Sequence, residues 1–320
     1  MYDACKLNQC PLVSVVTVNY NQSAATCDML QSLYASGYSN LEVWVVDNAS
    51  PSDTPEIIKE KFPQVFLIQS NQNLGFAGGN NLAIRQAKGD FIYLLNNDTI
   101  VPENHIQILL NAFTELPETG VVCPKIKLYD QANIILFAGF TSLSSITVRN
   151  KIIGFAEKDC GQHDQRRQSA YAHGAAMMFK RELIETVGLM NEQYFLYYEE
   201  IDWSTRIRKS GYSIYYIPET FVLHKESLSI GKNSPLKAYY MNRNRVLYIL
   251  SHTAGLRKAV KILYQMCIAM PKNILVCTVC GQFANMKAVG RAWGWSLKNI
   301  FSHTNKLGTN LERRKNMYQK

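Results

Sequence analysis

The apolar run at residues 91–95 is followed directly by Asn96, Asn97 and Asp98. A short apolar run closed by turn residues is typical of a strand that is covered on both faces. Open α/β sheets bind their ligands at the carboxyl ends of such strands. A carboxylate flanked by amides suits a hard divalent cation that itself carries a phosphate, so Asp98 is a candidate metal ligand. The alternative is that Asp98 caps a helix that follows Pro102.

A second carboxylate, Asp47, ends the predicted strand at residues 41–46. If the two strands are parallel, Asp47 and Asp98 lie at the same edge of the sheet. An ionised carboxylate only accepts hydrogen bonds, so Asp47 could bind the base or the ribose of a nucleotide. The alternative for Asp47 is an Asx turn that includes Asn48 and Ser50.

Three acids stand close together at Glu199, Glu200 and Asp202, where a helix is predicted to begin. Crowding of carboxylates raises the pKa of at least one of them, which suits a general base. Adjacent residues point about 100° apart on a helix, so only one of Glu199 and Glu200 can point fully into a cleft. Acids also favour helix N-termini for purely electrostatic reasons, so a solvated helix N-terminus is the alternative interpretation. His224 follows an apolar strand, and its spacing alone predicts no ligand set.

The elements that position these residues alternate between two periodicities. Strands are predicted at 13–18, 41–46, 65–69 and 91–95, and helices between them begin near 21–23, 54 and 76. This alternation predicts parallel βαβ units and a Rossmann-like, mostly parallel sheet with helices on both faces. Neither a G-x-G-x-x-G sequence after the first strand nor a Walker A sequence is present, which argues against NAD and P-loop ATP.

Charge divides the chain near residue 230. Residues 1–230 hold 18 Lys and Arg against 24 Asp and Glu, a balance of −6, whereas residues 231–320 hold 16 against the single Glu312, a balance of +15. We therefore expect a catalytic domain over 1–230 and a basic, helical, amphipathic extension over 231–320.

The extension carries an apolar stripe at Leu256, Val260, Leu263, Cys267 and Met270, and then an uncharged segment at 273–286. That segment is shorter than the ~20 residues that span a bilayer. The pattern favours attachment to an anionic membrane surface, with helices packed on the catalytic domain as the alternative. It does not favour nucleic acid, because stacking aromatic residues are not interleaved with the charges.

No secretory leader pattern opens the sequence, and the eight cysteines are scattered, which is typical of reduced thiols. These features predict a cytoplasmic protein, peripheral on the inner face of the cytoplasmic membrane.

Five segments, taken together, resemble the inverting glycosyltransferases of family two, which have the GT-A fold, and resemble their rhamnosyltransferase members most. The segments are VSVVTVNYN at 13–21, VVDNAS at 45–50, NLGFAGGNN at 73–81, LLNND at 94–98 and YYEEIDW at 197–203. Their order and spacing match over about residues 11–230, and they are specific for the fold and the reaction class but not for the sugar.

The resemblance implies roles for individual residues. Asp98 would bind Mg²⁺ or Mn²⁺, and His224 matches a metal-binding histidine of some relatives. Glu200 would be the general base, with Glu199 as the alternative. The residues implied to contact a dTDP- or UDP-linked sugar donor are Thr17, Asn19, Asp47, Gly75, Phe76, Ala77, Gly78, Asn80 and Asn97.

The acceptor implied by the resemblance is a saccharide hydroxyl, lipid-linked in some members, in cell-surface polysaccharide biosynthesis. Two positions depart from the family pattern: Glu200 stands where Asp is commoner, and Asn96 stands where stricter members carry Asp. These departures motivate an alternative, a non-catalytic scaffold that binds a sugar nucleotide or a glycan through a degenerate GT-A site.

Overall fold

The computed structural model describes residues 10–225 and 234–317, with side chains through residue 300. Within these ranges the chain divides into two compact units. The first takes the residues up to Ser142 and those from Asn150 to the gap at 226. The second takes Leu143–Arg149 and the residues from Ser234 onward.

The first unit is built from alternating strands and helices. Its strands are β1 Val13–Asn19, β2 Leu41–Asp47, β3 Phe66–Gln69, β4 Phe91–Leu95, β5 Thr99–Ile100, β6 Thr119–Leu128, β7 Ile134–Phe137, β8 Glu157–Lys158, β9 Arg167–Gln168, β10 Ala176–Lys180 and β11 Ser213–His224. Its helices are α1 Ser23–Ala35, α2 Glu56–Lys61, α3 Gly75–Ile84, α4 His105–Glu115, α5 Glu182–Val187, a 3-10 turn Glu192–Tyr194 and α6 Glu199–Lys209.

The strands form one mixed sheet in the order β3-β2-β1-β4-β10-β6-β11-β5. Strands β3, β2, β1 and β4 are parallel to one another, and β6 is parallel to β11, while β10 and β5 run antiparallel to their neighbours. The β-branched strand β1 is buried along nearly its whole length, as expected for an inner strand of a covered sheet. The predicted mostly parallel α/β sheet is confirmed.

Several boundaries differ from the prediction. A short strand, β5, follows Asp98, and the helix after Pro102, α4, begins at His105. Strand β11 is unbroken over Ser213–His224, although its pairing with β6 shifts register between Ile217 and Phe221. Short-range sequence patterns miss both features because they depend on which distant strand supplies the hydrogen bonds.

The second unit contains four helices: α7 Pro235–His252, α8 Gly255–Leu263, α9 Met270–Val279 and α10 Phe283–Met317. A π-helical turn, Tyr264–Ala269, joins α8 to α9 without a break. The buried core of this unit consists of Val246, Leu250, Met266, Met270 and Val289.

The π turn changes the predicted apolar stripe. Leu256 and Leu263 are 80% and 60% exposed, but Met270 is fully buried, so the prediction that Met270 continues that stripe is wrong. A π turn holds more residues than an α turn and rotates the side chains that follow it. The buried positions Met266 and Met270 therefore face the core, while Ile268 and Leu275 extend the exposed stripe.

The helical stretch Gly255–Val279 is 25 residues long, with a mean hydropathy of 1.4 over its most apolar window, and is by length and composition the one candidate membrane span in the described ranges. The uncharged segment predicted at 273–286 is divided, because α9 ends at Val279 and α10 begins at Phe283. Cys10 is disulfide-bonded, so the expectation of reduced thiols is wrong there; the free thiols in the described part are Cys27, Cys123, Cys160, Cys267, Cys277 and Cys280.

We predict that Gly89→Ala destabilises the first unit. A Cβ at Gly89 would lie 2.5 Å from the backbone nitrogen and the hydroxyl of Ser14, and the Gly89 N–H already donates to that hydroxyl. Overpacking of this kind costs about 1–3 kcal/mol. Urea unfolding would measure the loss. Gly290→Ala is the companion variant: a Cβ there meets no atom within 4 Å, and α10 should gain about 0.5–1 kcal/mol. Equal midpoints for the two variants would contradict the packing argument.

Candidate active site

The structure brings Asp98 and His224 together, although 126 positions separate them in the sequence. The Asp98 Oδ1 atom lies 3.1 Å from His224 Nε2, and both side chains are largely buried. The Asn96 Nδ2 atom lies 3.5 Å from the same ring nitrogen. The two candidate metal ligands therefore share one place at the carboxyl end of β4.

Strand pairing produces this approach. Strand β5 pairs antiparallel with the end of β11, which places His224 opposite Thr99. The Lys225 N–H donates to the Asp98 carbonyl oxygen at 2.9 Å, so the backbone next to His224 is hydrogen-bonded to the backbone of Asp98. The Lys225 ammonium also bonds Asp28 on α1 at 2.7 Å. The positions of both ligands are thus set by backbone hydrogen bonds.

The residues present fit a divalent cation. Asp98 Oδ1 is buried, lies 3.1 Å from His224 Nε2, and accepts no well-oriented hydrogen bond within the described part of the chain. A buried carboxylate oxygen with so little hydrogen bonding is costly unless another group binds it. No group of three or more His, Cys, Asp or Glu suited to a metal occurs among the described residues. Asp98 and His224 could supply two ligands to a cation that keeps waters and takes phosphate oxygens as its other ligands.

Asn19, at the end of β1, is the centre of a polar network. Its amide donates to Asp47 Oδ1 at 2.8 Å and to Asp53 Oδ2 at 3.1 Å, and its oxygen accepts from the Thr26 hydroxyl at 3.0 Å. The Asn97 amide donates to that same hydroxyl at 3.0 Å. Asn19 and Asn97 thus join the ends of β1 and β4 to helix α1.

Both oxygens of Asp47 accept hydrogen bonds from the loop that follows it. Ser50 donates through its hydroxyl to Oδ1 at 2.6 Å and through its backbone N–H to Oδ2 at 3.1 Å. Asp47 thus bonds the residue three positions on, one further than in an Asx turn. A carboxylate oxygen can accept two hydrogen bonds, so Oδ2 can accept another from a ligand. Thr17 lies deeper in β1, is fully buried, and its hydroxyl has no partner among the described residues.

Asn48 and Asn73 shape the loop that precedes α3. Asn48 accepts from the Leu74 N–H at 2.8 Å and donates to Asn73 Oδ1 and to the Gly75 carbonyl, both at 3.1 Å. Ala77 and Asn80 are buried, and the Asn80 amide bonds the Phe76 carbonyl of its own helix. A Cβ at Gly78 would lie 2.7 Å from the Leu74 side chain, so only glycine fits this turn.

The three acids of α6 separate into different environments. Glu199 is buried, its Oε2 has no partner in the described ranges, and burial together with the adjacent Glu200 charge raises the pKa of Glu199 well above its usual value. Burial raises the pKa of Glu200 to about 7, although Glu200 is more exposed than Glu199. Asp202 accepts from Tyr194 and forms an ion pair with Arg206 at 3.0 Å, so Asp202 is structural.

The segment before these acids has a strained backbone. Phe195, Tyr197 and Tyr198 have φ values of +64°, +65° and +75°. Bulky side chains rarely occupy this region, and such conformations cost of order 1–3 kcal/mol each unless surrounding contacts impose them. The Phe76 N–H donates to the Phe195 carbonyl at 2.7 Å, and a Cβ at Gly75 would overlap that carbonyl. The loop that opens α3, which the resemblance implies would contact the donor, and the acidic segment are therefore in backbone contact.

The strand end that carries Asp98 is linked, through Asn96, to the contact between Phe76 and Phe195. The Asn96 N–H donates to the Ala175 carbonyl at 2.9 Å. A Cβ at the preceding Gly174 would lie 3.4 Å from the Phe76 ring, so the absence of a side chain leaves room for that ring. Phe76 thus lies between the strand end that carries Asp98 and the segment that leads to Glu200.

Some residues of this network were not among the predicted site residues. They are Thr26, Asn48, Asp53, Asn73 and Asn81. Burial opposes ionisation of Asp53, but hydrogen bonds from Ser23 and Asn19 hold its pKa below the usual value. Polar residues within the five motif segments were a signal for Asn48, Asn73 and Asn81. Thr26 and Asp53 lie outside those segments, and only the tertiary structure reveals them.

A family model for glycosyl transferase family 2 matches residues 14–188, more than half of the chain. The chain belongs to this family. It is 26% identical over 255 residues to a low-salt glycan biosynthesis hexosyltransferase, Agl10, of Haloferax volcanii, with 77% of this chain and 79% of that protein covered. It is 24% identical over 264 residues to an N-acetylglucosaminyl-diphospho-decaprenol L-rhamnosyltransferase of Mycobacterium tuberculosis, with 76% and 86% covered. The chain is thus an enzyme, a glycosyltransferase, as predicted.

Solved glycosyltransferase structures share the fold. The mannosyltransferase PcManGT from Pyrobaculum calidifontis, solved with GDP-Man and Mn²⁺, has a TM-score of 0.52 and 19% identity, with 94% of this chain and 80% of that chain covered. TarS 1-349 of S. aureus, solved with UDP, has a TM-score of 0.51 and 18% identity, with 80% and 70% covered. The predicted GT-A fold is confirmed.

We predict that activity of this glycosyltransferase is lost as the pH falls through about 7, because Glu200 accepts a proton only when ionised and its pKa is about 7. Glu200→Gln should lower kcat by about 10²–10⁴-fold. Burial and the adjacent Glu200 charge raise the pKa of Glu199 well above its usual value, which favours its neutral form, so Glu199→Gln should cost far less than Glu200→Gln. The pH dependence of kcat/KM for the three proteins gives the comparison. A larger loss in Glu199→Gln would reverse the assignment.

Proposed function

We propose that the chain is a metal-dependent, inverting glycosyltransferase that moves a sugar from a dTDP- or UDP-linked donor to a saccharide hydroxyl in polysaccharide biosynthesis. The observation that carries the proposal is the approach of the buried Asp98 Oδ1 to His224 Nε2 at 3.1 Å, at the carboxyl end of β4. Membership of family two supplies the reaction class.

Asp98 and His224 would hold Mg²⁺ or Mn²⁺. When bound, such a cation supplies Lewis acidity and neutralises charge on a departing diphosphate. Asn97 and Asn19 would keep the ends of β4 and β1 in place through the Thr26 hydroxyl. Asp47 would accept a hydrogen bond from the nucleoside through the free lone pair on Oδ2.

Glu200 would serve as the general base. The acceptor hydroxyl passes its proton to the Glu200 carboxylate as its oxygen bonds to the anomeric carbon and the bond from that carbon to the diphosphate breaks. A single displacement from the opposite face inverts the anomeric configuration. A base with a pKa near the working pH is both ionised and basic enough for this step.

The donor and the acceptor are proposed from relatives. The mycobacterial relative is named for an L-rhamnosyl transfer to a diphospho-decaprenol-linked sugar, which supports a lipid-linked saccharide as acceptor here. Structural neighbours hold GDP-Man with Mn²⁺ or UDP, which supports a nucleotide sugar with a divalent cation.

We also propose that residues 231–320 attach this cytoplasmic enzyme to the inner face of an anionic membrane. The exposed stripe on Gly255–Val279 comprises Leu256, Val260, Leu263, Ile268, Leu275 and Val279. Lysines and arginines in the same stretch include Arg257, Lys258, Lys261 and Lys272. The opposite side of the stretch is buried in the core at Met266 and Met270, which favours a helix lying in the membrane surface over one crossing it.

The metal proposal predicts weaker Mn²⁺ binding in Asp98→Asn and in His224→Ala. Loss of outer-shell partners alone costs about 10–100-fold in metal affinity, and loss of a direct ligand should cost at least as much. Calorimetric titration with Mn²⁺ in the presence of UDP measures it without turnover. Asp130→Asn, an exposed carboxylate, is the control for a lost charge. If the Mn²⁺ affinity is unchanged in both Asp98→Asn and His224→Ala, the cation does not bind at this site. If the protein binds a donor but neither transfers nor hydrolyses it, the result favours a non-catalytic binding scaffold.

The membrane proposal predicts that the protein floats with vesicles containing phosphatidylserine and much less with neutral phosphatidylcholine vesicles, because about 1 kcal/mol per nearby Lys or Arg is added at an anionic surface. Replacing Leu256, Leu263 and Leu275 together by Ser should abolish flotation. Phe155→Ser, which removes an exposed apolar side chain from the first unit, should leave it intact. Flotation that does not depend on lipid charge or on the three leucines would contradict this attachment.

A further inference from the structure

Residues 187–192 form a short strap between α5 and the strained segment that leads to Glu200. Helix α6 holds one side of the strap. Arg206 donates through Nη1 to the Val187 carbonyl at 2.7 Å and through Nη2 to the Leu189 carbonyl at 2.8 Å. Trp203 Nε1 donates to the Gly188 carbonyl at 2.8 Å. The strap therefore moves with the helix that carries the acids.

Helix α3 holds the other side of the strap through Asn81. The Asn81 amide donates to the Met190 carbonyl at 2.8 Å and to Glu192 Oε1 at 2.9 Å, and its oxygen accepts from the Met190 N–H at 3.2 Å. Asn81 thus binds both polar groups of one backbone residue, as a neighbouring strand would. Arg85, one turn later, forms an ion pair with Glu192 at 2.9 Å.

Loss of these hydrogen bonds would be costly because of the surroundings of Asn81. The side chain is fully buried, so a lost partner would not be replaced by bulk water. The strap continues through the 3-10 turn into Phe195, Tyr197 and Tyr198, whose positive φ values persist only if surrounding contacts impose them. On the α3 side these contacts include the Asn81 amide, the Arg85–Glu192 ion pair and the Phe76–Phe195 backbone bond.

We propose that Asn81 is a positioning residue for the transfer reaction: its amide fixes the strap to the donor helix α3 and thereby sets the place of Glu200 relative to the donor loop. This inference rests on the proposed function of Glu200. It assigns Asn81 no contact with the donor or the acceptor.

Two variants test the role. Asn81→Ala removes all three hydrogen bonds. Asn81→Asp keeps the shape and the bond from the Met190 N–H, but loses the bond to the Met190 carbonyl and places a carboxylate beside Glu192. We expect kcat to fall on the order of 10–100-fold, because small displacements of reacting groups cost this much. The donor KM should change by less than about threefold, since the donor contacts remain. Release of nucleoside diphosphate from UDP- and dTDP-sugars, with Mn²⁺, gives both constants.

A rescue variant separates positioning from loss of fold. Glu192→Gln removes the charge repulsion that Asn81→Asp introduces, so the double variant should recover part of kcat. Asn111→Ala is the matched control, because Asn111 also accepts a hydrogen bond within a helix, from Gln107 at 2.8 Å, and lies on α4 away from the strap. Its kcat should equal that of the unchanged protein.

Hydrogen–deuterium exchange gives a readout that needs no turnover. Amides at 187–200 should exchange faster in both Asn81 variants than in the unchanged protein. In Asn111→Ala their exchange rates should not change. Unchanged exchange over 187–200, or a kcat loss no larger than that of Asn111→Ala, would overturn the role of Asn81. Failure of the unchanged protein to cleave any donor counts instead against the proposed function, and the exchange experiment still tests the anchoring by itself.

Discussion

The antiparallel pairing of β5 with the end of β11 is the constraint on which the site depends. It is a short ladder, yet it places His224 opposite Thr99 and lets the Lys225 N–H bond the Asp98 carbonyl. Through this pairing, the side chains of Asp98 and His224 lie close together. Backbone pairing holds ligand positions more firmly than flexible side chains can, which is what a preorganised cation site requires.

Much of this arrangement was predictable from the sequence. The buried strand before Asp98, the parallel βαβ order and the acids that open α6 follow from periodicity and turn residues alone. The five motif segments predicted the family, and the resemblance to that family implied Asp98 and His224 as metal ligands. What periodicity detects is local, so elements that are stabilised locally were found with small boundary errors.

The remainder depends on contacts between distant parts of the chain. The spacing of His224 carried no ligand signal, because its partner comes from β4. Nor could the separate fates of Glu199, Glu200 and Asp202 be predicted, since burial and the Arg206 ion pair decide them. In the second unit, a single π turn moved Met270 from the expected exposed stripe into the core. Each of these outcomes is a tertiary effect that overrides a local pattern.

The π turn at Tyr264–Ala269 also restricts how this chain can evolve. Each residue added to or deleted from the stretch Gly255–Val279 would turn every later side chain by about 100°. A change of length before Met270 would therefore turn Met270 out of the core. Substitutions that keep apolar character are tolerated on either face, but a change of length is not, unless a second change nearby restores the phase. Homologous enzymes should therefore vary in composition here long before they vary in length.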